Sequence, residues 1–213
     1  MSNNIKILGI KVNKVNMREA IKEVRKFLVK KKKAYIVTPN SEIIVMAQED
    51  KELAGIINNS DLSIADGAGV VFPSKFYKKP LTERVAGFDL MSELLKLSAE
   101  DNYSIYFLGG EKGVVDKVKD NIIGLYPEIK ICGIHHGFLD KEKEELVLND
   151  ISKLKPDILF IGMGVPRQEK FIYRNYSKIK ANVIMTVGGS FDILAGRSKR
   201  APLWMQKLSL EWF

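Results

Sequence analysis

One aspartate at the end of a predicted strand is a candidate general base. Asp66 ends the predicted strand DLSIAD at 61–66 and is followed by Gly67 and Gly69. A sugar hydroxyl is a poor nucleophile, and a carboxylate within hydrogen-bond reach can take its proton as it attacks. The other interpretation is that Asp66 caps the helix that follows it. The residue alone leaves both interpretations open.

Polar side chains follow two other predicted strands. Thr38 and Asn40 come at the end of the apolar run AYIVTP, and Gln168 comes shortly after the strand DILFIGMG. Their hydroxyl and amide groups suit the hydroxyls and acetamido group of an amino sugar. Each also has a plainer interpretation as a helix-capping residue. The carboxyl ends of parallel strands meet at one edge of a sheet, which is where ligands bind.

A glycine turn predicts a place for a nucleotide. Leu108-Gly109-Gly110-Glu111 lies between a strand and a helix, where the backbone can approach a phosphate or ribose. Glu111 can accept from ribose hydroxyls or simply favour the helix N-terminus. We add Gly164 and Gly189, at two further strand ends, to this nucleotide-binding set. The dinucleotide fingerprint G-x-G-x-x-G is absent from the sequence, which argues against an oxidoreductase built on the same scaffold.

Basic residues offer partners for a diphosphate. The candidates are Arg84, Arg167 and the cluster of Arg197, Lys199 and Arg200. Arginine binds phosphate oxygens in two-pronged, charge-assisted contacts. The alternative for any one of them is an ordinary solvated charge.

Metal-independent chemistry is the simpler expectation, and no cofactor is predicted. His135 and His136 are adjacent in a strand-like segment, so we expect their side chains on opposite faces, which is poor geometry for a shared metal. Cys132 is the only thiol, and the sequence has no D-x-D pair of the kind that holds a metal–diphosphate complex.

Composition bounds the class of protein. The 213 residues, 46% hydrophobic and 28% charged, suit one globular domain with a core of its own. A single cysteine excludes an intrachain disulfide and fits a reducing compartment. We find no signal peptide and no apolar run long enough to span a membrane. The net charge of +8 fits an anionic partner such as a nucleotide, a lipid diphosphate or an acidic bilayer, although scattered surface lysines explain part of it. No nucleic-acid motif is present.

Strand and helix patterns alternate almost throughout. We predict strands at 5–12, 34–39, 61–66, 103–110, 129–137, 157–164 and 182–189, and helices from Asn16, over 40–58, 88–100, 111–126, 140–155 and 166–179. A short helix and a mobile loop are expected within 67–87. Such alternation predicts an α/β fold with a Rossmann-like, mostly parallel sheet, and the continuous apolar run at 157–161 predicts helices on both of its faces. Residues 1–195 are expected to form this domain.

The end of the chain reads differently. Residues 196–213 are expected to begin a helical, membrane-associating segment, in which Trp204, Leu208 and Trp212 make an apolar stripe. A core or oligomer contact is an equal alternative. The segment closes on Trp212 and Phe213 without a polar cap, so we expect that the natural chain continues.

Together the motifs resemble a known family. TPNSEIIV, SDLSIADGAGVV, ERVAGFDL, FLGGEKGVV, HHGF, KPDILFIGMGVPRQEKFI and TVGGSFDILAGRSKRAP are similar to the WecG/TagA/CpsF family, glycosyltransferase family 26, from about residue 6 onward. The nearest likeness is to its TagA branch, in wall teichoic acid synthesis. The resemblance implies a fold unlike the standard two-domain glycosyltransferases, with no metal requirement.

The resemblance also implies an activity. It is the inverting transfer of N-acetylmannosamine from UDP-N-acetylmannosamine to the 4-hydroxyl of N-acetylglucosamine on undecaprenyl diphosphate. By position, Asp66 is the expected catalytic base, and Thr38, Asn40 and Gln168 are expected in the sugar pocket. Arg84 is an expected phosphate or acceptor contact, and the turn from Leu108 to Glu111 an expected nucleotide contact.

The family's C-terminal segment implies a cytoplasmic enzyme held peripherally on the inner face of the cell membrane, with a homo-oligomer left open. Relatives use other donors, so an N-acetylmannosaminuronic acid or another sugar stays an alternative. A non-catalytic, nucleotide-binding membrane protein is the alternative from outside enzymes.

Overall fold

The computed structural model describes residues 3–76 and 80–201. Its strands are β1 Asn4–Ile7, β2 Ile10–Asn13, β3 Ala34–Val37, β4 Leu62–Ser63, β5 Ser104–Gly109, β6 Lys130–His135, β7 Ile158–Gly162 and β8 Val183–Thr186. Its helices are α1 Met17–Val29, α2 Ser41–Glu49, α3 Lys51–Asn58, α4 Ala68–Ser74, α5 Gly87–Asp101, α6 Val114–Leu125, α7 Lys141–Leu154, α8 Arg167–Asn175 and α9 Ser190–Leu194.

Six strands form one parallel sheet in the order β4-β3-β8-β7-β5-β6. Strand β8, the last of the sheet in the chain, lies between β3 and β7. All six strands run the same way, so their carboxyl ends share one edge, and that edge carries most of the predicted site residues. The predicted α/β, Rossmann-like fold is confirmed.

Helices cover both faces of the sheet, as predicted. In β7, Ile158 and Phe160 pack into the core beneath α1, α5, α6 and α9. Leu159 and Ile161 pack into the opposite core, beneath α2, α3, α7 and α8. Successive side chains of a strand point to opposite faces, so a strand buried on both sides must be apolar at every position. The continuous apolar sequence of β7 has this physical cause.

Helix α1 begins where the sequence predicts. The side chain of Asn16 accepts from the backbone N–H of Glu19, and the Glu19 carboxylate accepts from the backbone N–H of Asn16. This reciprocal pair is a capping box, which satisfies two backbone donors at the helix start. Ala20, Val24 and Leu28 then form the buried face of the helix.

Two predicted elements are wrong in their extent. The single strand over 5–12 is a hairpin of β1 and β2, because Leu8 and Gly9 take positive φ angles of 46° and 80° and reverse the chain. The single helix over 40–58 is two helices. It breaks at Asp50, which has extended backbone angles and caps α3 by accepting from the Leu53 N–H. An aspartate inside an apolar helical pattern was the signal for this break.

The short helix expected within 67–87 is confirmed as α4. The loop expected after it reaches residues 77–79, which lie outside the described residues, as does the predicted apolar stripe of Trp204, Leu208 and Trp212. The domain boundary between 195 and 196 stays a prediction. Over the described ranges, every helix is too short or too polar to cross a bilayer.

Candidate active site

A cavity of about 570 Å³ opens at the carboxyl edge of the sheet. The predicted substrate-binding and catalytic residues all line it: Thr38, Asn40, Asp66, Arg84 and Gln168. They come from the ends of β3 and β4, from the loop before α5, and from the start of α8. The sheet order explains the gathering, since β4, β3, β8 and β7 are consecutive in the sheet and α8 follows β7.

Asp66 lines this cavity from the segment after β4, three residues beyond Ser63. Its backbone N–H donates to the Pro39 carbonyl at 3.1 Å, which ties it to the end of the neighbouring strand. The N-cap position of α4 belongs to Gly67, with φ of 107°, and α4 has no side-chain cap. The alternative that Asp66 caps this helix is therefore wrong. Its side chain is about a third exposed and is part of the cavity wall.

Arg84 lies beside Asp66. Its Nη2 atom is 4.0 Å from Asp66 Oδ1, and its side chain is mostly buried. The loop carrying Arg84 is fixed by the next residue, because the Val85 N–H donates to the Ala65 carbonyl at 3.1 Å. The arginine and the carboxylate are thus held against the same wall by two backbone segments.

Thr38 and Asp66 converge at the start of α5. A Cβ atom on Gly87 would lie 3.1 Å from Asp66 Oδ2 and 3.1 Å from Thr38 Cγ2. Both distances are tighter than ordinary contacts, so this position favours glycine because it lets the helix begin close to the two side chains.

Asn40 serves the fold and also borders the cavity. Its Oδ1 atom accepts from the Ile43 N–H at 2.9 Å, so the capping interpretation is confirmed for this residue. Its position in the cavity wall is compatible with a second role, and binding of a sugar by Asn40 stays a prediction.

Gln168 is almost fully buried, with 1% of its surface exposed. Its Oε1 atom accepts from the Gly188 N–H at 3.2 Å, and its Nε2 atom donates to Glu169 Oε1 at 2.8 Å. Burial raises the pKa of Glu169 to about 7, against the opposing effect of the Gln168 and Thr186 side chains. The amide therefore links the turn after β8 to a buried carboxyl group.

A second cavity, of about 240 Å³, adjoins the first. The predicted residues Gly110 and Glu111 line it, and Gly164, Gly188, Gly189 and Asp192 line both cavities. The two spaces therefore form one cleft along the sheet edge, and Gly164 and Gly189 stand at its middle.

Two residues of the predicted glycine turn, Leu108 and Gly109, have roles in packing. Leu108 has its side chain fully buried in the core. Gly109 has φ of 148°, and a Cβ atom there would lie 2.2 Å from the Gly162 carbonyl oxygen. Neither is among the described residues that line the two cavities. Gly109 is required by the close approach of β5 to β7, a structural reason that the sequence motif does not distinguish from ligand binding.

The candidate diphosphate partners separate into different surroundings. Arg167 lines the smaller cavity, donates to the Gly137 carbonyl and stacks over Phe138. Arg197 pairs with Glu111 at 2.7 Å. Lys199 and Arg200 line the larger cavity.

Arg200 is also held by a neighbouring helix. Its Nη2 atom donates to Asp89 Oδ2 at 2.8 Å, and its guanidinium lies 5.0 Å from the Phe88 ring centroid. Asp89 is in the first turn of α5. The segment that contains Arg200 is therefore anchored beside the cleft.

The two histidines are closer than predicted. Their ring centroids are 4.4 Å apart, and the expectation of opposite faces is wrong because β6 ends at His135. Throughout residues 3–76 and 80–201, no three His, Cys, Asp or Glu side chains are grouped so that they could hold a metal ion.

Two carboxylates in the cleft were not predicted. Asp192 lines both cavities and Glu42 lines the larger one. Asp192 follows the glycine turn at the end of β8, so its place after a strand end was a usable signal. Glu42 is in the first turn of α2, where an acidic residue has an ordinary electrostatic reason to be.

Comparison with known proteins agrees with the motifs. The sequence model of the glycosyl transferase WecG/TagA/CpsF family matches residues 5–213. A protein of Staphylococcus aureus strain NCTC 8325, named N-acetylglucosaminyldiphosphoundecaprenol N-acetyl-beta-D-mannosaminyltransferase, is 35% identical over 210 residues, which is 98% of this chain and 82% of the relative. The protein of that name from strain MRSA252 is 34% identical over the same shares.

Proposed function

The chain belongs to the glycosyl transferase WecG/TagA/CpsF family, and on that premise we propose its reaction. It transfers N-acetylmannosamine from UDP-N-acetylmannosamine to the 4-hydroxyl of N-acetylglucosamine on undecaprenyl diphosphate. The product linkage is β1,4, and the step is an early one in wall teichoic acid synthesis. The printed name of the staphylococcal relatives supports the sugar and the lipid-linked acceptor.

One observation carries the proposal. Asp66 shares a cavity with three hydrogen-bonding side chains, Thr38, Asn40 and Gln168, and that cavity opens into a second one lined by Gly110 and Glu111. A nucleotide sugar has two parts with different needs, a sugar and a nucleoside diphosphate. We assign the sugar and the acceptor hydroxyl to the larger cavity and the nucleotide to the glycine-lined one.

The chemistry is a single in-line displacement. Asp66 accepts the proton of the acceptor 4-hydroxyl while that oxygen forms a bond to the anomeric carbon. The bond from the anomeric carbon to the diphosphate oxygen breaks on the opposite face, so the configuration inverts. UDP leaves with the bonding electron pair, and Asp66 later returns the proton to solvent.

Negative charge grows on the departing diphosphate, and the cleft offers cations to receive it. Arg84, Lys199 and Arg200 line the larger cavity and Arg167 lines the smaller one. Fixed donors aimed at developing charge lower the barrier without reorganising during the reaction. The reaction we propose runs through these groups and needs no metal, so chelation with EDTA should leave the rate unchanged.

The proposed lipid-linked acceptor implies that the reaction takes place at a membrane surface. An undecaprenyl chain keeps its sugar diphosphate at the bilayer interface, and the chain's net charge of +8 favours approach to anionic lipid. We assign membrane contact to the C-terminal segment, on the inner face of the cell membrane. Co-sedimentation with anionic vesicles tests this assignment, and failure to pellet would contradict it.

A donor and acceptor screen tests the reaction. The full chain is incubated with UDP-N-acetylmannosamine and a prenyl-diphosphate N-acetylglucosamine acceptor, and released UDP is measured with and without acceptor. Acceptor-dependent release and a β1,4 product are the expected results. Preference for UDP-N-acetylmannosaminuronic acid or UDP-glucose would assign a different donor. Absence of acceptor-dependent release with every donor would favour a non-catalytic nucleotide-binding protein.

A further inference from the structure

A buried carboxyl group stands directly behind the cleft. Glu169 is in the first turn of α8 and has 2% of its surface exposed. Its Oε1 atom accepts from Gln168 Nε2 at 2.8 Å. Glutamate is rarely buried to this degree without a specific partner, because taking its charge out of water is costly. The burial of the Glu169 carboxyl group therefore requires a compensating contact, and its hydrogen bond with Gln168 supplies one.

The direction of the Gln168 amide is fixed at both ends. The Gly188 backbone N–H can only donate, so the oxygen of the amide must face it, at 3.2 Å. The nitrogen then faces Glu169, whose Oε1 atom must accept. With either partner lost, the amide is free to turn and exchange its donor and acceptor faces.

That direction matters because Gln168 lines the cavity. Each amide atom keeps one further hydrogen-bonding position, an N–H on Nε2 and a lone pair on Oε1. Thr38 and Asp66 line the same cavity. A sugar held there meets a donor or an acceptor according to how the amide points, and a misplacement of about 1 Å at such a contact costs about 100-fold in rate.

We propose that Glu169 is a positioning residue for the glycosyl transfer, acting only through Gln168 by fixing which amide atom faces the sugar. The inference rests on the proposed function, since it takes the ligand of the larger cavity to be a sugar. Glu169 itself is described by the structure but is not among the residues that line either cavity. Its side chain interacts with Gln168 and with Thr186, and of these two only Gln168 is among the described residues that line a cavity, so its effect on the reaction passes through the hydrogen bond to Gln168.

The burial of Glu169 supports the assignment. Burial raises the pKa of this carboxyl group to about 7, so both protonation states occur near neutral pH. The carbonyl oxygen of the acid and either oxygen of the carboxylate can accept a hydrogen bond. The contact with Gln168 is thus available in both states.

Four variants test the proposal by a double-mutant cycle. Glu169→Leu removes the acceptor, and we expect kcat to fall about 10- to 100-fold. Glu169→Gln keeps an acceptor oxygen at the same reach, and we expect kcat within about fivefold of the wild type. In a Gln168→Ala background, Glu169→Leu should cost nothing more, because residues that act through one contact are not additive.

Asn175→Leu is the matched control. Asn175 is buried on the same helix and donates to Glu144 Oε1 at 2.8 Å, outside the cleft. We expect it to lower stability and leave kcat unchanged at temperatures where both variants are folded. Equal losses from Glu169→Leu in the two backgrounds, or an equal loss in Asn175→Leu, would overturn the positioning role.

A second measurement separates this inference from the proposed function. The side-chain amide of Gln168 is observed by nitrogen-15 NMR in the wild type and in Glu169→Leu, without any substrate. A changed amide signal is expected, and an unchanged one would overturn the inference even if the donor proves to be another sugar. Absence of glycosyl transfer in the wild type together with a changed amide signal would overturn the proposed function alone.

Discussion

Arg84 Nη2 lies 4.0 Å from Asp66 Oδ1 in the wall of the larger cavity. The proposed proton acceptor and a permanent positive charge are therefore within reach of one sugar diphosphate. The two side chains come from different segments, 18 positions apart in the sequence, and meet through the pairing of Val85 with Ala65. The pair gives separate tests of proton transfer and of charge stabilisation.

Asp66→Asn should remove the base while keeping the shape of the side chain. We expect kcat to fall about 10²–10⁴-fold, the usual contribution of a general base. Binding of UDP should be nearly unchanged, since Asp66 is assigned to the acceptor hydroxyl. Steady-state UDP release measures the change in kcat, and calorimetry measures the binding of UDP. Asp101→Asn, in a surface ion pair with Arg25, is the control, and near-normal turnover in Asp66→Asn would exclude the assigned role.

Arg84→Ala should weaken the handling of the diphosphate. Removing a positioned cation next to developing charge is expected to lower kcat/KM about 100- to 1000-fold. Arg84→Lys keeps the charge but loses the two-pronged guanidinium, so an intermediate loss is expected. The comparison is read from kcat and KM for donor and acceptor separately. Equal activity of Arg84→Ala and wild type would show that another cation serves the diphosphate.

Gly109→Ala should destabilise the fold. The position has φ of 148°, and the added Cβ would lie 2.2 Å from the Gly162 carbonyl oxygen. Backbone strain and overpacking together should lower the free energy of unfolding by about 2–6 kcal/mol. Urea denaturation measures it.

Gly124→Ala is the matched control for that substitution. Gly124 is within α6, and its added Cβ would meet no atom of the described chain within 4 Å. A gain of no more than about 1 kcal/mol in the free energy of unfolding is expected, because alanine loses less conformational entropy than glycine on folding. A Gly109→Ala protein as stable as Gly124→Ala would mean that β5 and β7 do not approach as closely as described.

Glu169→Gln should change how stability depends on pH. In the folded protein the pKa of Glu169 is raised to about 7 from an ordinary 4.5, so the folded state holds the proton more tightly than the unfolded state. The free energy of unfolding of the wild type should therefore fall as pH rises from about 4.5 to about 7. Glu169→Gln has no titrating group at this position and lacks this loss. The free energy of unfolding of the variant, relative to that of the wild type, should therefore rise by about 2–3 kcal/mol between pH 5 and pH 8.

Urea titrations of both proteins at the two pH values measure this difference. Glu100→Gln is the control, because Glu100 is an exposed partner of Lys96 on α5. Its effect should stay within about 0.5 kcal/mol at both pH values. Parallel pH profiles for wild type and Glu169→Gln would contradict a raised pKa at Glu169.

Local patterns in the sequence were sufficient for the class of fold. The apolar run of β7 predicted a strand covered on both faces, and Asn16 predicted the start of α1, because both signals depend on neighbours a few positions away. They failed at Leu8 and Asp50, where a single residue turns or breaks an element whose apolar pattern continues on either side. Periodicity averages over several residues and does not detect such points.

By itself, the sequence determined that polar and glycine-rich strand ends such as Asp66 and Gly110 would share one edge of a parallel sheet. Only the tertiary structure decided which ends are neighbours: β8 enters between β3 and β7 and brings Gly188 to Gln168. It also decided that Gly109 serves strand packing and that Glu169 stands behind Gln168. The reason is physical, since strand order and side-chain partners depend on contacts between distant segments, whereas strand and helix patterns depend on local repeats of two and 3.6 residues.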